Sequence, residues 1–97
     1  MRGLGDARSI IDPAQARGME LTLKASTGAK ILVWRENDLY HAQRSDLAMD
    51  TQVCLAMDLF EVIAELAGLD LERGAEAAEA IELAESALRR LDRAQAR

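Results

Sequence analysis

The strongest constraint on this chain is a change in the period of its apolar residues. From Glu20 to Ser26 apolar and polar side chains alternate, with Leu21, Leu23 and Ala25 on one face and Glu20, Thr22, Lys24 and Ser26 on the other. An extended strand turns successive side chains to opposite faces, so the pattern predicts a strand half buried against a core. Past residue 50 the spacing lengthens to three and four, the period of a helix. Strands followed by helices make an α+β fold. The expectation is a short N-terminal antiparallel β-meander packed on a C-terminal antiparallel two-helix hairpin.

Local signals set the boundaries. Strands are expected over about 20–26 and 30–35, joined by a Thr27-Gly28 turn in which Gly28 takes positive φ. The second strand carries Ile31, Leu32, Val33 and Trp34, β-branched and aromatic residues that suit a sheet. Glu36-Asn37-Asp38 reads as a turn, after which 39–42 returns as a third strand with Tyr40 opposite Trp34. The competing reading starts a helix at Leu39, capped by Asn37 or Asp38. Ser45 or Asp46 is expected to cap a first helix over about 46–67, with Gly68 ending it. Leu69-Asp70 would be a tight connection to a second helix over about 71–95, its first turn weakened by Gly74. Residues 1–18 read as a loosely ordered leader before a single domain spanning 19–97.

The 97 residues hold one Trp, one Tyr and one Phe, so the core has to be aliphatic. Cores this small stabilise a domain by only about 3 to 5 kcal/mol, and association is a common remedy. The second helix offers a narrow seam of Ala77, Ile81, Ala84, Leu88 and Leu91. The first offers two stripes: Val53, Met57, Phe60, Ala64 and Ala67 on one face, and Leu55, Leu59, Val62, Leu66 and Leu69 on another, with Ile63 between them. A helix apolar over most of its circumference needs cover on several sides. A homodimer is therefore expected, with Leu55, Leu59, Val62 and Leu66 at its interface.

No long apolar run is free of charge: Val53–Leu69 contains Asp58, Glu61 and Glu65, and it is shorter than the ~20 residues a membrane span needs. The N-terminus lacks the apolar centre of a signal peptide. Cys54 is the single cysteine, which excludes an internal disulfide and suits a reducing, cytoplasmic setting. Its place between Val53 and Leu55 marks it as a small apolar residue and not as a reactive thiol.

Charge is the most informative feature for function. Residues 1–44 carry a net +2, residues 45–85 a net −10 from eleven acids against Arg73, and residues 86–97 a net +3, together the −5 of the whole chain. Part of this suits the dipole of the second helix, with Glu72, Glu76 and Glu79 near its start and Arg89, Arg90, Arg93 and Arg97 near its end. Asp58, Glu61, Glu76, Glu79 and Glu82 form an acidic tip beyond that explanation. Such a surface suits a basic patch on a protein partner, and it excludes direct nucleic-acid binding, which needs a basic patch with aromatics.

Catalytic motifs are not evident. His41 lies near Ser45 and Asp46 in sequence, without the G-x-S-x-G elbow of a serine nucleophile. The glycines match no phosphate-binding loop. The pair Asp58-x-x-Glu61, with the ladder Glu72, Glu76, Glu79 and Glu82, resembles the all-α nucleotide pyrophosphohydrolases of the MazG type. That resemblance implies a Mg²⁺-dependent hydrolase held by carboxylates. The chain departs from the family in lacking its second E-x-x-D pair and its basic phosphate contacts. The leading expectation is a non-catalytic protein-interaction module without metal or cofactor, similar in type to small acidic phage inhibitors such as anti-CRISPR proteins. Alternatives are an oligomeric structural or adaptor subunit of a phage-like assembly, and the hydrolase.

Overall fold

A computed structural model describes residues 20–46 and 51–95 of the chain. The leader expected over 1–18 lies outside the described residues. Four strands come first: β1 (Glu20–Lys24), β2 (Lys30–Glu36), β3 (Leu39–Arg44) and β4 (Gln52–Cys54). A 3-10 turn, Ala56–Asp58, leads into α1 (Leu59–Ala67), and α2 (Gly74–Gln95) follows. The strands form one antiparallel meander in chain order, packed against the two-helix hairpin. The α+β architecture is the one the change of period implies.

The strand of strict alternation ends at Lys24, two residues early, because Ala25 and Ser26 are drawn into the turn. Ala25 N–H donates to Ala29 C=O and Gly28 N–H to Ala25 C=O, both at 2.9 Å, with Gly28 at φ 94°. The next hairpin corrects the expected pairing. β2 runs through Glu36, so only Asn37 and Asp38 make the turn, and Asn37 takes φ 59°. Asparagine tolerates this left-handed conformation better than most residues. The shorter turn shifts the register by one: Trp34 faces His41 and Arg35 faces Tyr40. A one-residue shift moves a side chain to the other face of a sheet. Tyr40 therefore joins the core face, while Trp34 stacks on His41 across the strands at 5.4 Å between ring centroids.

The first helix is also corrected. It begins at Leu59, not near Asp46. Ser45 and Asp46 lie in a turn, and Gln52–Cys54 pairs with β3 through Tyr40↔Cys54, His41↔Val53 and Ala42↔Gln52. Val53 and Leu55 fit a strand spacing of two as well as a helical one, and the ladder offered by β3 decides between them. Gly68 ends α1 as expected, at φ 75°. Leu69 N–H reaches Ala64 C=O at 2.8 Å and Gly68 N–H reaches Glu65 C=O at 3.4 Å, the paired bonds of a Schellman cap. The connection then runs to Arg73 and is not confined to Leu69-Asp70. Asp70 turns its carboxylate back to Glu72 N–H at 2.9 Å, and α2 starts at Gly74.

Both helices lie on one face of the sheet, α2 over β1 and β2, and α1 over β2, β3 and β4. The core between the layers takes Leu21, Leu23, Ile31, Val33, Tyr40 and Ala42 from the strands. From α1 it takes Leu59, Ile63, Ala64, Leu66 and Ala67. Ala80, Ala84, Ala87 and Leu91 form the buried line of α2. The expected seam is rotated: Ala84 and Leu91 are buried, but Ile81 is 43% exposed. Three alanines on the buried line leave room for both a sheet and a second helix.

Candidate interaction surfaces

The five residues of the expected acidic tip divide into structural and free groups. Glu79 receives Ser26 N–H and the Ser26 hydroxyl, each at 2.6 Å, and so ties α2 to the β1–β2 turn. Those bonds, the hydroxyl's first, hold its carboxyl below the ordinary glutamate value. Glu76 accepts Asp70 N–H at 2.8 Å and lies 3.6 Å from an Arg73 nitrogen, which fastens the start of α2 to the connection. Asp58 sits half buried in the turn before α1. Glu61 and Glu82 alone are exposed and make no ion pair or side-chain hydrogen bond among the described residues.

Two further glutamates within the helices share that condition. Glu65 on α1 and Glu85 on α2 are exposed and unpaired among the described residues. Their helical spacing from Glu61 (i+4) and Glu82 (i+3) was the signal in the sequence. Because both helices pack on the same face of the sheet, their outer faces look away from it together. Glu61 and Glu65 are exposed on α1, and Glu82 and Glu85 on α2. Further along α2, Arg89, Arg90 and Arg93 are exposed.

The interface expected on the first helix is not available as one stripe. Leu59 is 0% exposed and Leu66 is 3% exposed, both inside the chain's own core. Val62 is half buried against that core, and Leu55 lies ahead of the helix. The helix is short enough for the sheet and α2 to cover Leu59 and Leu66. Exposed apolar surface collects instead before the helix, at Val53, Leu55 and Met57.

His41, Ser45 and Asp46 do not converge. His41 Nε2 lies 3.8 Å from Glu36 Oε1, which also accepts the Trp34 indole N–H at 2.9 Å. The Ser45 hydroxyl donates to Lys30 C=O at 3.2 Å. Asp46 pairs with Arg44 at 2.8 Å, and that guanidinium holds its carboxyl below the ordinary range. Burial pushes the Cys54 thiol up, and the nearby Asp58 adds to the effect, so its thiolate is disfavoured.

Sequence reasoning missed a polar clamp at the end of α2. Asp92 Oδ1 accepts both the Tyr40 hydroxyl at 2.8 Å and Arg35 Nη1 at 2.9 Å. The Arg35 guanidinium sits 5.7 Å over the Tyr40 ring and also donates to Asn37 C=O at 2.7 Å. Burial, then the bond to Asp92, raises the Tyr40 pKa above 10.0. No spacing in the sequence joins residues this far apart.

Among the described residues no group of three His, Cys, Asp or Glu side chains could hold a metal ion. The sheet also departs from the all-α architecture that the pyrophosphohydrolase resemblance implies. No helix among the described residues is long and apolar enough to cross a membrane. Searches of protein-family models, curated proteins and solved structures return no match to this chain.

Proposed function

We propose that this α+β domain is a non-catalytic interaction module whose helical hairpin presents an acidic ridge to a basic surface on a protein partner. The observation that carries the reading is the pair of exposed, unpaired glutamates on the outer face of each helix, Glu61 with Glu65 and Glu82 with Glu85. Packing does not require these side chains. Like charges at i,i+4 on a helix cost a few tenths of a kcal/mol, so the chain is slightly less stable for carrying them. A cationic partner converts that repulsion into attraction, which speeds encounter and selects against acidic partners. The partner class is a cationic groove, such as that of a nucleic-acid-handling protein, the kind of target suited to small acidic phage inhibitors.

The test is affinity capture in the native host extract with three baits: the unaltered chain, Glu61→Lys/Glu65→Lys/Glu82→Lys, and Asp38→Lys, in the β2–β3 turn, as a control away from the helical layer. A partner recovered by the unaltered chain and the control, released by moderate salt and lost with the ridge variant, supports the reading. Recovery of the same partner by the ridge variant overturns it. The exposed Val53, Leu55 and Met57 favour a second reading, an adaptor subunit held in an assembly through apolar contact. Salt-insensitive capture abolished by Met57→Lys distinguishes that case.

A further inference from the structure

The exposed face of α2 carries its charges in two blocks. Ala80, Ala84, Ala87 and Leu91 are the buried line of this helix. Around the opposite side, by helical period, runs a second line: Ala75, Ala78, Glu82, Glu85, Arg89 and Arg93. Every one of these residues is exposed. The charged members make no ion pair or side-chain hydrogen bond among the described residues, although Glu85 and Arg89 stand one helical turn apart.

The order of the signs works against the single chain. Glu82 and Glu85 are like charges at i,i+3, and Arg89 and Arg93 are like charges at i,i+4, arrangements that slightly destabilise a helix. The helix dipole favours acids only within the first turn, and the acid there is Glu76. Neither packing nor the dipole accounts for an acidic block meeting a basic one in mid-helix.

A second copy of the chain does. A twofold axis crossing α2 midway between Glu85 and Arg89 lays the two helices antiparallel. It sets Glu85 against Arg89 of the second copy in both directions. The same axis brings Glu82 level with Arg93 of the second copy, to within about 1.5 Å along the helix. We propose that two copies of the chain pair antiparallel through this face of α2, held by Glu85–Arg89 and Glu82–Arg93 ion pairs, each formed twice. The charges set the sense of the pairing, since parallel helices would face acid with acid and base with base. The same patch serves both copies, so the contact closes as a dimer. Exposed ion pairs are individually weak and screened by salt, so the dimer is weak and forms best at low salt. Glu82 and Glu85 also belong to the proposed partner surface. On that reading the dimer withholds both residues, and self-association competes with the partner.

Sedimentation equilibrium of the purified full chain at low salt, from low micromolar to near-millimolar concentration, tests the proposal. A monomer–dimer equilibrium that fades as salt is raised is expected. Glu82→Arg/Glu85→Arg makes the face wholly basic, and Arg89→Glu/Arg93→Glu makes it wholly acidic. Each variant alone should dimerise at least about tenfold more weakly, because every attractive pair becomes repulsive. Mixed in equal amounts, the two should form a heterodimer about as strong as the unaltered dimer, because opposite signs again meet at every position. All the altered residues are exposed, so the far-ultraviolet spectra should be unchanged. A monomer at every concentration overturns the proposal. So does a dimer indifferent to these charges, or a mixture that stays monomeric. No partner enters the measurement, so its failure is distinct from failure of the capture experiment.

Discussion

Glu79 shows how one side chain changes meaning between sequence and structure. On a bare helix it is one more acidic group; in the fold it is the acceptor for both donors of Ser26. Its carboxyl is held below the ordinary value of 4.5, so the stability it contributes is present above that pH and is lost as pH falls through the folded value. Ser26→Ala removes the hydroxyl. Its Glu79 carboxyl, followed by NMR, should titrate closer to the ordinary value. The cost in stability should stay below about 1 kcal/mol, since water competes for an exposed bond. Tyr40 gives the opposite sign. Its raised pKa means that its contribution is full below about pH 10.0 and is lost as pH rises through the folded value. It is the chain's single tyrosine, so phenolate absorbance reads it directly. Asp92→Ala should bring that titration down while costing about 1 kcal/mol, because the part-buried hydroxyl loses its acceptor.

At the scale of elements, α1 is the critical piece. It has nine residues, too few for a stable helix in isolation, so packing supplies its stability. Leu59→Ala should cost about 2 to 5 kcal/mol, enough to consume most of what a core this small provides. Val62, half buried, should cost well under half as much when shortened. Urea denaturation of the two variants distinguishes a core residue from an interface residue, because only the former destabilises a monomer. Gly68→Ala isolates the cap. A Cβ there would meet nothing within 4 Å, so the cost is the left-handed backbone alone, about 1 to 2 kcal/mol. The 3-10 turn at Ala56–Asp58 absorbs the change of direction from β4 into α1.

Across the whole molecule, α2 is the beam that holds the layers in register. It is anchored at Glu79 to the β1–β2 turn and at Asp92 to the residues flanking the β2–β3 turn. Thirteen residues separate the anchors, about 20 Å of helix at 1.5 Å per residue, which spans the sheet along β2. The helical layer leaves Glu61, Glu65, Glu82 and Glu85, the residues of the proposed partner surface, exposed.

Much of this was legible in the order of the residues, because it depends on local physics. The alternation of Leu21 and Leu23, the Gly68 stop and the acid-rich hairpin follow from strand geometry, backbone sterics and composition, each read within a few residues. What only the tertiary structure decided depends on competition between distant segments. Val53 and Cys54 fit either period, and the bonds offered by β3 made them strand. Asn37 accepted a left-handed turn, and that single residue set Tyr40 on the core face and His41 opposite Trp34. Leu59 and Leu66 looked surplus until the shortened helix settled against the sheet beside α2. Glu76 and Glu79 looked like surface charge until the fold brought Asp70 N–H and Ser26 to them. Side-chain period fixes which residues want burial, but the burial partner is set by packing, which no local spacing encodes.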